Sequence, residues 1–352
     1  MTRADGPLPR LCLPLSWIAA RIYGWGVHLR NQRFDGAEGI EVLEAHGRRI
    51  PVISVGNITA GGTGKSPFVA WLSNALLRTG KRPVIALRGY RSHTNADGET
   101  RSDEAEEYAR SAPGAMVVVG ANRHARLTEA LSKPETRDWI RDAVVILDDG
   151  FQHRQLGRAM DIVLVDATRH GLDGDLLPLG WLREPARALG RASFVLVTRA
   201  DDAQQYAKTR EAVARARGAA PDASCRSLWS ELAVYEDGVE RTEPVSWLAQ
   251  RRVLVASAIG NPAQFRVAVE RAGAVVTAEM READHRAFDL ARLEERLRAD
   301  PRGEACVMTR KDFVKLSRLP RATVVIPKLS LEFAPSDEQR LLAAIEAVVP
   351  LQ

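Results

Sequence analysis

The sequence predicts an α/β protein: a doubly wound parallel sheet, a smaller α/β domain toward the C-terminus and an amphipathic helix at the N-terminus. Three observations carry that prediction. From Val52 onward, short apolar runs rich in Val and Ile alternate with amphipathic stretches, as strands buried on both faces alternate with the helices that cover them. The first of these runs passes through a glycine-rich loop, "GNITAGGTGKSP", into a helical pattern. Ahead of it, Leu11, Leu15, Ile18, Ile22, Trp25 and Leu29 recur at spacings of four and three, the period of one helix face.

In chain order, residues 1–35 form the amphipathic helix, whose regular part starts at Pro14, because a proline in the first turn costs no hydrogen bond. Arg3, Arg10, Arg21, Arg30 and Arg33 stand against Asp5 in this segment, so it holds +4 of the chain's formal +5. The remainder is nearly neutral, which argues against a broad nucleic-acid-binding face. No apolar run approaches the roughly 20 residues of a membrane span. A signal peptide is not expected either, since Pro14 and Arg21 interrupt the weakly apolar region. Cys12, Cys225 and Cys306 are far apart and form no C-x-x-C pair. Neither a disulfide framework nor a zinc site is indicated, and a reducing cytoplasm is the default.

The next segment, residues 36–226, opens with the strand Val52 to Val55 and the glycine-rich loop. Glycines let backbone N–H groups turn inward, and the helix N-terminus adds partial positive charge beside them, so the loop suits anionic oxygens. Thr59, Ala60, Gly61, Gly62, Thr63, Gly64, Lys65 and Ser66 would wrap the phosphates of a nucleotide. Lys65 would reach the β- and γ-phosphates and the Ser66 hydroxyl would ligate Mg²⁺. The strict pattern G-x-x-x-x-G-K-[ST] is not met, since Thr59 stands at its first glycine. The loop is a variant, and the core is P-loop NTPase-like.

Five more apolar runs follow: "PVIALRGY", "AMVVVG", "AVVILDDG", "MDIVLVDAT" and "ASFVLVTRA". Ligands of such sheets lie at the carboxyl ends of the strands, which places Gly61, Tyr90, Asp148 and Asp166 near one another. Asp148 and Asp149 end a strand as the Mg²⁺-holding acids of P-loop enzymes do. An Asp-Asp-Gly turn alone would explain them; the P-loop upstream favours the metal. Asp103 and Glu104 before a helix, Asp284 beside His285, and Arg183-Glu184-Pro185 are each explained by capping or a surface turn when read alone. "VLVTRADD" loosely matches the guanine-reading N-K-x-D, but two of its three key positions differ.

Residues 227–252 change rhythm, with strand-like pieces around an Asp-Gly turn, and read as linker strands. Residues 253–352 then form the smaller α/β domain, with strands near "RVLVASAIG", "AVVTAEM", "ACVMTR" and "TVVIPKL".

Together, "SVGNITAGGTGKSP", "LRGYRS", "SDEA", "ANR", "LDDGFQHRQL", "LLPLGWLREP", "AIGNPAQF", "DHRAF" and "TRKDFVKL" resemble the tetraacyldisaccharide 4'-kinase family over about Leu11 to Leu316. That resemblance implies transfer of the ATP γ-phosphate to the 4'-hydroxyl of a tetraacyldisaccharide 1-phosphate in lipid A biosynthesis. It implies Lys65 and Ser66 as phosphate and Mg²⁺ ligands, and Asp148, Asp149 and Glu184 as acidic metal-site positions. Arg123 and Arg183 would lie around the phosphates, with Tyr90 at the nucleotide cleft. Asp103 would be the general base and His285 its assistant. The family's "GDEP" reads Ser102-Asp103-Glu104-Ala105 here, and its "TEKD" reads Thr309-Arg310-Lys311-Asp312.

A lipid acceptor changes how the N-terminal stripe reads. In an ordinary enzyme it would pack on the protein's own core; with Trp17, Trp25 and the positive charge beside it, it would rest on the cytoplasmic face of the inner membrane. The expected protein is thus a peripheral, monomeric kinase using ATP and Mg²⁺, without nucleic-acid partners. Two other classes were weighed. A membrane-linked ATPase switch would want a lysine where Ala60 stands, and a GTP-dependent metallochaperone would want clusters of metal ligands that the seven histidines and three cysteines do not form.

Overall fold

The computed structural model describes residues 13–36, 39–89, 93–94, 100–101, 103–169, 171–259, 262–282, 288–299, 303–316 and 322–349. Contacts divide the chain into two compact units, Met1–Ser227 with Leu331–Gln352, and Leu228–Ser330.

The first unit begins with α1 (Leu13–Asp35). Its inward face is Ser16, Ala20, Val27 and Phe34, all buried, and not the apolar stripe. Gly24 lies on the inward side: a Cβ there would meet Leu176 Cδ1 at 2.8 Å, so a larger residue would require that side chain to move. Leu15, Trp17, Ile18, Ile22, Trp25 and Leu29 point outward and are between 46 % and 73 % exposed.

The sheet core follows as β1 (Val52–Asn57), α2 (Lys65–Arg78), β2 (Arg82–Leu87), α3 (Asp103–Ser111), β3 (Met116–Val119), α4 (Arg123–Leu131), β4 (Ala143–Asp148), β5 (Met160–Asp166), β6 (Phe194–Thr198) and α5 (Ala203–Arg217). The strands run in the order β3-β2-β4-β1-β5-β6, and every pairing is parallel. Apolar side chains leave both faces of β1 and β4. On one face Ile53, Ile146, Phe68 and Leu72 share a core; on the other, Val52, Val145, Leu127 and Leu131 do. This two-sided burial is what the uninterrupted Val/Ile runs encode. Because β1 and β4 are neighbours, with Val55 opposite Asp148, the glycine loop and the Asp-Asp pair leave the sheet side by side.

The strand β7 (Ala223–Glu236) starts in the first unit, pairing Ala223 and Ser224 with β6, and continues into the second. There it forms a hairpin with β8 (Val239–Glu243). Asp237 and Gly238 turn it with φ of 49° and 80°, the pair of positive values a two-residue turn needs. The second unit continues with β9 (Arg252–Ser257), α6 (Pro262–Arg271), β10 (Val275–Arg281), α7 (Leu290–Ala299), β11 (Ala305–Met308) and β12 (Val324–Phe333). Its strands lie in the order β10-β9-β11-β12, and these pairings are parallel. The hairpin strands at 228–252 group with this unit, while the chain from Leu331 returns to the first. That return carries α8 (Pro335–Glu346), whose Leu341 and Ile345 enter the core containing Phe68 and Leu72.

Candidate active site

β1 ends on Asn57 and the chain turns through residues 58–64 into the first turn of α2, which opens with Lys65. Gly61 and Gly64 hold φ of 102° and 81°, a region L side chains rarely enter. That geometry brings loop N–H groups to a helix N-terminus, an anion-binding arrangement. The 14-residue helix behind it supplies the aligned dipoles.

Buried Asn57 sits at the centre of the site. Its amide Nδ2 donates to Thr59 O at 2.6 Å and Gly61 O at 3.5 Å. Its Oδ1 accepts from Lys65 Nζ at 3.1 Å and Arg183 Nη1 at 3.4 Å. One amide thus shapes the loop and gathers two cations. Both cations also face Asp149: Lys65 Nζ lies 3.4 Å from Oδ1, and Arg183 grips the carboxylate with two bonds of 2.7 and 2.9 Å. Asp149 holds a φ of 51°, an uncommon value for a residue with a side chain and one that marks functional turns. Burial pushes the Asp149 carboxyl up, but the Arg183 hydrogen bonds and the Lys65 charge outweigh it and hold the group well below the usual carboxylate range. Arg123, also buried, reaches Asp149 O at 3.3 Å.

Asp148 has the opposite environment. Burial raises its carboxyl above the ordinary value, more than Lys65 lowers it, and Tyr108 on α3 donates to Oδ2 at 2.7 Å. Oδ1 is buried with no hydrogen-bond partner. An orphaned carboxylate oxygen fits a hard divalent cation, which takes oxygen ligands, and the Ser66 side chain hydrogen-bonds the same Tyr108 that binds Asp148. Among the described residues no group of three or more His, Cys, Asp or Glu side chains is placed to hold a metal ion.

Glu184, expected beside Asp148 and Asp149, is engaged elsewhere. It is fully buried, with Oε2 accepting from Asn31 on α1 and Oε1 from Arg191, both at 2.8 Å, and with Arg30 at 3.7 Å. Both oxygens are engaged in joining α1 to the turn that follows Arg183. Tyr90 and His285 lie outside the described residues. Asp103 is the first residue of α3, the helix that Tyr108 ties to Asp148.

Sequence reasoning missed Asn57, Tyr108 and a group behind the loop. Arg199 donates to Gly62 O at 3.3 Å, Thr198 Oγ1 to Thr63 O at 2.9 Å and Arg169 to Ala60 O at 3.5 Å. Buried Asp166 faces both arginines. "VTRADD" therefore contributes a brace for the phosphate loop's carbonyls. The signal was a cation directly after a buried strand, where unpaired carbonyls of a glycine loop need donors.

Beside Asp149 opens a cavity of about 460 Å³ lined by Arg30, Arg33, Arg88, Arg123, Arg154 and Arg183, with Asp149 as its carboxylate. His153 also lines it, and burial together with Arg123, Arg158 and Arg88 pulls its imidazole down to about 4. Burial is the larger cause, and the positive charge of the neighbouring arginines adds to it. The arrangement suits anions at both ends: polyphosphate at the glycine loop, and a further anion among the arginines.

Residues 10–349 match the family model described as tetraacyldisaccharide-1-P 4'-kinase. The tetraacyldisaccharide 4'-kinase of Geobacter sulfurreducens is 33% identical over 359 residues, covering 98% of this chain and 96% of that one. That of Geobacter metallireducens is 33% identical over 362 residues, covering 97% and 100%. Among solved structures, LpxK from Aquifex aeolicus in complex with ATP aligns with a TM-score of 0.68 at 26% identity, over 96% of this chain and 98% of that one.

Proposed function

The chain belongs to the tetraacyldisaccharide 4'-kinase family, and from that premise we propose how its own residues transfer the γ-phosphate of ATP to the 4'-hydroxyl of a tetraacyldisaccharide 1-phosphate. The observation that carries the assignment of roles is the convergence of Lys65 and Arg183 on Asn57 and Asp149 at the adjoining ends of β1 and β4.

Phosphoryl transfer asks the protein mainly for positioning and for neutralisation of charge. Loop residues 59–64 and the start of α2 hold the polyphosphate, and Lys65 approaches its terminal groups. Arg183 and Arg123 balance charge on the transferred phosphoryl. Ionised Asp149 keeps Lys65 and Arg183 aimed at the same point before nucleotide arrives. Ser66 and Asp148 would hold Mg²⁺, which would supply charge compensation on the phosphate oxygens. The 4'-hydroxyl oxygen forms its bond to the γ-phosphorus as the bond to the β–γ bridging oxygen breaks. ADP leaves with that electron pair, and the hydroxyl proton passes to the Asp103 carboxylate.

The exposed apolar stripe of α1 supports a peripheral location on the cytoplasmic face of the inner membrane, where an acylated acceptor resides. Among the described residues no helix is long and apolar enough to cross a membrane. The test is transfer of γ-labelled phosphate from Mg²⁺-ATP to purified tetraacyldisaccharide 1-phosphate. Label on the lipid is the expected result; hydrolysis of ATP with an unlabelled lipid overturns the reading.

A further inference from the structure

We propose that Tyr108 is a positioning residue that couples the cation site to the base: its hydroxyl orients the Asp148 and Ser66 oxygens toward one cation and, through α3, fixes where Asp103 stands. The inference rests on the kinase reading above and deepens it by naming the residue that makes cation binding and base placement one event.

Among the described side chains of α3 only Tyr108 is buried, in the core that contains Phe68, Leu72 and Ile146. Its hydroxyl meets groups from two other elements. It donates to Asp148 Oδ2 at the end of β4 at 2.7 Å, and the Ser66 side chain at the start of α2 hydrogen-bonds it. A phenol carries one proton. That proton goes to Asp148, so Ser66 donates its own and keeps its lone pairs for a cation. Asp148 is constrained in a complementary way: with Oδ2 engaged, Oδ1 is the oxygen left, buried and without a hydrogen-bond partner. A carboxylate held at one oxygen offers the other in one direction. That suits Mg²⁺, which demands near-ideal geometry and takes one or two carboxylates, and whose ligands are themselves held by hydrogen bonds. A phenylalanine ring would fill the same core, so packing does not account for the hydroxyl.

The same side chain reaches the base through the helix it sits on. Asp103 opens α3 and precedes Tyr108 by less than two turns, roughly 7.5 Å along the axis. The first turn, Asp103-Glu104-Ala105, holds no proline that would stiffen it. At the far end of the helix Ser111 O accepts from Asn74 on α2 at 2.9 Å, so α3 is tied to α2 behind Tyr108 and to the cation site at Tyr108 itself. A cation that fixes Asp148 and Ser66 fixes both partners of the hydroxyl, and with them the front of α3. An ordered α3 in turn keeps the Asp148 carboxylate from rotating. Cation affinity and the order of α3 are therefore linked, and the linkage is reciprocal.

The experiment loads the full chain with a β,γ-methylene analogue of ATP and titrates Mn²⁺, counting the free ion by electron paramagnetic resonance and following hydrogen exchange across residues 103–111. Tyr108→Phe, which removes only the hydroxyl, should weaken Mn²⁺ binding by about 10- to 100-fold, the usual result of losing the group behind a metal-ligating side chain. Its affinity for the analogue in EDTA should be unchanged. In the unaltered protein Mn²⁺ should slow exchange in α3; in the variant, at Mn²⁺ concentrations that restore occupancy, that slowing should be absent. Equal Mn²⁺ affinity in the two proteins overturns the proposal, as does equal slowing of α3. Analogue binding weakened to the same extent with and without the ion reports damage to the fold and overturns it too. Should Tyr108→Phe fail to fold, the unaltered protein still decides: slowing of α3 by Mn²⁺ upholds the coupling, and exchange at one rate with and without the ion overturns it. None of these readouts uses the acceptor, so failure to label the lipid overturns the kinase reading and leaves them standing.

Discussion

Asp148 and Asp149 are adjacent in sequence and opposite in electrostatics. Asp149 is ionised and cation-bound, whereas Asp148 is buried, raised above the ordinary carboxylate value and left with a bare oxygen. Lys65→Ala and Asp149→Ala should each lower transfer by about 10² to 10³ at saturating Mg²⁺-ATP, the usual cost of losing one preorganised charge-stabilising group. Near-normal turnover in either would remove the P-loop assignment. Asp148→Asn should behave differently. It keeps an acceptor for Tyr108 and discards a charge that is costly to bury, so it should abolish transfer while raising the melting temperature at neutral pH. The sign follows from linkage. A folded-state pKa above the unfolded value of about 3.9 favours the protonated carboxyl, so native Asp148 costs nothing in acid and progressively destabilises as pH rises through its raised pKa. The stabilisation by Asn should therefore vanish near pH 3 and grow toward neutrality; a uniform offset at all pH values would sink this account. His153, pulled down to about 4, adds the opposite acid limb. The unfolded chain takes a proton near 6.5 that the fold refuses, so stability should fall between about pH 6.5 and 4 with a slope of at most about 1.4 kcal/mol per pH unit. His153→Asn should flatten that slope in urea titrations. Lys65, Ser66, Asp148 and Asp149 were legible because a phosphate loop and a strand-end acid have fixed local spellings. Asn57 and Tyr108 were not, since a polar residue ending a strand and an aromatic in "EEYAR" have commoner explanations, and only folding brings them to Lys65 and Asp148.

At the scale of elements, α1 carries the proposed contact with the membrane. The sequence showed a helix and an apolar stripe, but periodicity cannot tell which side of a helix meets protein when small and polar residues line the other. Ser16, Ala20 and Gly24 lie on the inward side, where small side chains let α1 approach closely. The surroundings of Glu184 were hidden for a similar reason: its partners Asn31 and Arg191 lie 153 and 7 residues away, and only α1 folded against the core brings them together. The two faces should respond oppositely to mutation. Ile22→Ser with Trp25→Ser should leave the melting temperature unchanged but weaken binding to anionic vesicles at least about tenfold, given about 1.5–3 kcal/mol for each large apolar side chain fully buried. Val27→Asp should instead lower stability by about 2 kcal/mol or more, through an unpaired charge in a buried site. Each arginine near the surface adds about 1 kcal/mol, so raising salt should weaken vesicle binding without eliminating it. Intact vesicle binding by the double serine variant, with a lowered melting temperature, would return the stripe to the protein's own core.

For the whole molecule, the alternation of strands and helices revealed the parallel sheet around β1 and β4, but not where the chain changes units. "TVVIPKLSLEF" reads as one strand, and the apolar period of α8 does not name the core it enters. In the structure the chain leaves the first unit at Ser227 and returns at Leu331, for reasons visible only in three dimensions. Phe333 meets Trp71 on α2 with ring centroids 4.6 Å apart, Asp337 accepts from Ser224 N at 2.8 Å, and Leu341 and Ile345 share a core with Phe68 and Leu72. Residues 333–345 therefore brace α2, the helix that begins at Lys65 and presents the phosphate loop. Leu341→Ala removes a fully buried side chain from that brace and should cost about 2–5 kcal/mol. The loss should fall on the nucleotide-binding unit. Hydrogen exchange should quicken in β1, β2 and α2 while β9 and β11 keep their protection, and the stabilisation gained from Mg²⁺-ATP at a fixed concentration should shrink. Saturation to about 100 times Kd contributes about 2.7 kcal/mol, so a weakened loop is measurable as a smaller shift in melting. If protection were lost in residues 228–330 instead, the C-terminal segment would belong energetically to the second unit, and its support of the phosphate loop would be ruled out.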